Sequence, residues 1–125
     1  MDNVIKMKAA LKEIAEDYIV EIKAKISMEE PLTMKLLTEN ISKISGQLIR
    51  IDSIFMNSII SDRLDMTTML DYQSVKSVLQ QRAADEVSLL RVAARQGKES
   101  EAEVLGYEQK MVEKGEEALK EYYNG

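Results

Sequence analysis

The stretch that decides the fold is Pro31–Ser61, PLTMKLLTENISKISGQLIRIDSIFMNSIIS. Within it Met34, Leu37, Ile41, Ile44, Leu48, Ile51 and Phe55 recur at alternating steps of three and four. That is a 3.5-residue repeat, the pattern of a coiled-coil seam or a supercoiled bundle. Pro31 suits the first helical position, where its missing N–H has no partner to lose. Glu29 and Glu30 complement the positive end of the helix that follows. From Leu48 to Ile60 the helix changes character, because Leu48, Ile49, Ile51, Ile54, Phe55, Met56, Ile59 and Ile60 spread widely around it. A helix that is apolar nearly all round must be buried nearly all round, by its own chain or by another.

Working outward, Ser61-Asp62-Arg63-Leu64-Asp65 breaks the pattern. Thr68-Met69-Leu70-Asp71 has capping-box spacing with Asp in place of Glu. A third helix is expected with Met69, Tyr72, Val75, Leu79, Ala83, Val87, Leu90 and Ala94 as its stripe, ending before Gly97. One rod from Pro31 to Gln96 is the alternative. A hairpin is preferred, because Asp62 and Asp65 would otherwise fall near the seam. Before this pair, Val4, Met7, Leu11, Ile14, Tyr18, Ile22 and Ile26 mark one helical face. After it, Ser100-Glu101-Ala102-Glu103 is a full capping box. The last helix carries Val104, Tyr107, Met111, Ala118 and Tyr122, flanked by Leu105, Val112 and Leu119. Gly106 and Gly115 each weaken it by about 1 kcal/mol relative to Ala.

The reading is an all-α antiparallel bundle of about four helices on a long central hairpin. The expected spans are 3–26, 31–62, 68–96 and 101–122, in a single domain over 1–125. A middle pair longer than its outer partners leaves apolar surface uncovered near the hairpin turn or along 48–60, and a second copy is the simplest cover. The expected contact residues are Ile49, Ile54, Phe55, Met56, Ile59 and Ile60.

Composition narrows the function. The 125 residues carry 17 basic and 22 acidic side chains, for a net charge of −5. There is no Cys and no His, so thiolate chemistry, the usual general base and the usual transition-metal ligand are all missing. The Glu-x-x-His pattern of carboxylate dimetal bundles fails for the same reason. No phosphate loop or dinucleotide glycine fingerprint is present. No catalytic residue, metal site or cofactor is therefore expected. Clusters such as Asp85/Glu86, and the acidic series Glu99 to Glu121 with its interleaved lysines, read as solvated helix faces.

The segment from Leu90 to Gly97 has the spacing of a helix-turn-helix start, but Glu103 stands where that motif needs an apolar residue. A looser basic stripe, Arg91, Arg95 and Lys98, could bind nucleic acid if an oligomer repeated it. Met56, Met66 and Met69 near the hairpin tip would suit a chaperone that holds a partner helix, although Met more often fills a core. No stretch approaches the ~20 apolar residues of a membrane span, and Lys6, Lys8 and Lys12 interrupt any signal-like run. The expectation is a cytoplasmic, non-catalytic assembly or adaptor protein. It self-associates and meets a protein partner by helix-on-helix contact, with nucleic acid a less favoured partner and no membrane.

Overall fold

A computed structural model describes residues 2–23, 34–61, 63–96 and 101–122. They form α1 (Asp2–Asp17), a π-helical turn (Tyr18–Ile22), α2 (Met34–Ile60), α3 (Met66–Gln96), α4 (Glu101–Leu119) and a closing 3₁₀ turn (Lys120–Tyr122). The protein is an all-α bundle, and its most extensive packing is between α2 and α3. These two contain 27 and 31 residues, against 16 in α1 and 19 in α4.

The chain reverses between α2 and α3. Phe55 stacks on Tyr72 with centroids 4.7 Å apart, and Lys76 pairs with Asp52 at 3.0 Å. Rising numbers on α3 thus meet falling numbers on α2, which excludes the single rod. The reversal is held at Asp65, whose carboxylate accepts the Thr68 N–H at 2.7 Å while its carbonyl accepts the Met69 N–H at 2.9 Å. Thr68, through its side chain and then its N–H, holds the Asp65 carboxyl below its ordinary range. The cap expected at Thr68 is thereby corrected. Asp65 sits three residues earlier and offers a charged acceptor, so α3 starts at Met66 and Thr68 is buried in its first turn. The Ser100 box, Pro31 and Gly97 lie outside the described residues.

α1 runs antiparallel to α2. Arg50 pairs with Glu13 at 2.6 Å, Lys43 with Asp17 at 2.9 Å, and Gln47 donates to Asp17 at 2.7 Å. The buried face of α1 holds Val4, Met7, Ala10, Leu11, Ile14 and Ala15. Its α-helical geometry gives way at Tyr18–Ile22 to a π turn that widens the spiral, where the Lys23 N–H reaches the Tyr18 carbonyl, and the end expected near Ile26 lies outside the described residues. Lys23 then meets Glu116 of α4 at 2.7 Å. The main core joins Met7, Leu11, Ile14, Tyr18, Ile44, Ile51, Tyr72, Val75, Leu79, Val112 and Leu119. A smaller cluster around Leu37 and Leu89 closes the far end of the hairpin.

The buried register of α3 differs from the apolar stripe. Thr68, Tyr72, Val75, Leu79, Arg82, Glu86 and Leu89 are buried, at strict steps of four and three. Val87 is partly exposed. In α4 the buried line is Glu108, Val112, Gly115 and Leu119, while Tyr107 is half exposed. Supercoiled packing keeps the 3.5 repeat and carries charged residues inward where apolarity alone steps aside.

Candidate functional site

Two features stand out once the helices are placed. The first is buried. Arg82, on the inward register of α3, has its Nη2 bonded to Glu86 Oε1 at 2.6 Å and to Glu108 of α4. Arg82 is 2% exposed, and both glutamates are fully enclosed. Tyr18, from the π turn, lies against the same group, and burial pushes its phenol up to about 12. Burial, then the neighbouring Glu108 carboxyl, pushes the Glu86 carboxyl up to about 9. A proton kept by Glu86 removes one of the two negative charges that would otherwise crowd a single guanidinium. Among the described residues, Arg82 Nε and Nη1, Glu86 Oε2 and Glu108 Oε2 find no hydrogen-bond partner. A buried network left partly unsatisfied contributes little net stability.

The solvated-face reading therefore fails for Glu86 and Glu108. Each lies on its helix's inward register, and Arg82 offsets the cost of burying them. Arg82 and Glu86 were legible as an i,i+4 pair; the placement of Glu108 opposite them comes only from the fold. Beside the cluster, Ser77, Gln81, Arg82, Asp85, Lys114 and Gly115 line a shallow groove of about 260 Å³ between α3 and α4. Among the described residues, no group of three or more His, Cys, Asp or Glu is placed to hold a metal ion.

The second feature is the outer face of α2. Ile49 is 70% exposed, Met56 57%, Ile59 55% and Ile60 83%. At 100° per residue, Ile49, Met56 and Ile60 point away from Ile44, Ile51 and Ser58, which are buried. Ile54 and Phe55 behave differently. Both are half-buried against the core, and Phe55 is engaged with Tyr72, whose hydroxyl donates to Asp52 at 2.6 Å. Ile54 also lines a shallow groove between α1 and α2 with Lys6, Ala9, Ile49, Arg50 and Ser53. Four of the six expected contact residues thus share an open surface. Met66 and Leu70, also more than half exposed, extend apolar surface at the hairpin tip, while Met69 packs inward.

Of the basic stripe, Arg91 is exposed on α3, whereas the side chains of Arg95 and Lys98 lie outside the described residues. No helix among the described residues is long and apolar enough to cross a membrane. Compared with known proteins, the chain matches no family model, and no similar curated protein or solved structure was found.

Proposed function

We propose that this chain is a non-catalytic, cytoplasmic helical assembly protein that self-associates, and meets a protein partner, through the outer face of α2. The observation that carries the reading is the exposure of Ile49, Met56, Ile59 and Ile60 on one well-formed helix. Large side chains at this density on a helix surface gain most by pairing with another apolar surface, at roughly 25 cal/mol per Å² removed from water. Light scattering of the full chain across micromolar concentrations tests it. A mass that rises with concentration supports self-association, and a constant monomer mass refutes it. Met56→Asp should abolish the rise while circular dichroism stays unchanged, because Met56 takes little part in the core.

A further inference from the structure

The outer face of α2 carries a second heptad line. Ser42, Gly46, Ile49, Ser53, Met56 and Ile60 are all exposed and follow steps of four, three, four, three and four. Small Ser42 and Gly46 stand at its start and large Met56 and Ile60 at its end, with Ile49 and Ser53 in the reverse order at its centre. We infer that the occupant of this face is a second copy of the chain, docked antiparallel about a two-fold axis level with Ile51. This rests on the self-association proposed above and adds its geometry.

In that register Ser42 faces Ile60 of the other copy, Gly46 faces Met56, and Ile49 faces Ser53. Every large residue meets a small one, in all three layers and in both halves of the pair. A parallel pairing would instead set Met56 on Met56 and Gly46 on Gly46, leaving a bulge and a gap. A two-fold interface must be self-complementary, and this line is so only when reversed.

Gly46 gives independent support. Among the described residues a methyl added there would touch nothing within 4 Å, so their packing gives no reason for glycine. A glycine inside a helix costs about 1 kcal/mol relative to Ala. Across the axis it leaves room for Met56. The charges beside the centre also fit, since Arg50 is already paired with Glu13 and Asp52 with Lys76. Closing the interface strands neither of them without its partner. The line spans ~27 Å at ~1.5 Å per residue. Two helices paired over that length cover on the order of 1,000 Å² in total, the lower edge for a specific interface. An interface of that size fits a dimer that forms reversibly.

The chain has no cysteine, which makes the register directly testable. Gly46→Cys and Met56→Cys chains are oxidised separately and as a mixture, then run on a non-reducing gel. The mixture should give at least ~10-fold more covalent dimer than either alone. Thiols at the same position would be ~15 Å apart along the axis, beyond the ~7 Å that a disulfide bridges. Ser42→Cys mixed with Ile60→Cys repeats the test at the ends of the line. If Met56→Cys links to itself as well as the mixture does, or if nothing links while light scattering still reports a dimer, this register is wrong and self-association stands. If light scattering reports only monomer, both fall.

Discussion

Tyr18 lies directly over the backbone of Gly115, so that a methyl at position 115 would collide with the phenol ring and its hydroxyl. Tyr18 is fully buried and its hydroxyl reaches toward the Val112 carbonyl, at a long 3.5 Å. The glycine that weakens α4 in isolation is thus what lets the π turn seat a tyrosine against the ionic cluster. Gly115→Ala should destabilise the protein by about 1–3 kcal/mol through overpacking, despite its better helix propensity. Gly46→Ala, which meets open space, should instead raise stability by up to about 1 kcal/mol. Urea denaturation of the two variants, at a concentration where the chain is monomeric, separates these signs.

Arg82, Glu86 and Glu108 are coupled, so their substitutions should be strongly non-additive. Arg82→Met alone leaves two carboxyls buried without their cation and should cost about 3–5 kcal/mol. Replacing all three together by Met, Leu and Leu should recover most or all of that loss, because well-packed apolar groups often do as well as a buried ionic triad. Comparison of the single and triple variants by denaturant midpoint and slope checks both statements.

The Glu86 carboxyl, raised from 4.5 to about 9, makes stability depend on pH. Between those values the folded chain holds a proton that the unfolded chain has released. Its contribution to stability is therefore complete below the unfolded value and is lost as pH rises toward about 9. Unfolding midpoints should fall from pH 5 to pH 9, and Glu86→Gln, which keeps a neutral amide in place, should flatten that slope. An unchanged slope in Glu86→Gln would count against a protonated Glu86.

The cap at Asp65 works in the opposite direction. Its carboxyl is held low by the Thr68 side chain and then the Thr68 N–H, so the cap is present above the ordinary carboxylate range and weakens as the group protonates in acid. Asp65→Ala should lower the unfolding midpoint and Asp65→Asn should retain most of the cap, as measured by thermal melts at neutral pH.

The fold class was legible because the repeat over Met34–Phe55 is regular and the breaks around it carry few competing signals. The hairpin was legible because Asp62 and Asp65 are costly on a buried seam. The inward registers of α3 and α4 were not. Following apolarity led from Leu79 to Ala83 and Val87, while the chain buries Arg82 and Glu86 on the uninterrupted 3.5 repeat. A charge can hold a seam position only if its partner arrives from another helix, and Glu108 is 22 residues beyond Glu86 in the sequence. The open apolar face of α2 was legible in part. Ile49, Met56, Ile59 and Ile60 face outward, but Phe55 was assigned there without knowledge that Tyr72 would stack on it.

Self-association through the outer face of α2 is decided by sedimentation or light scattering of the full chain against Met56→Asp at matched micromolar concentration. The wild-type mass should approach that of two chains, and the variant should stay folded and monomeric. A wild-type chain that stays at 14.2 kDa throughout, with its helical signal intact, would contradict it.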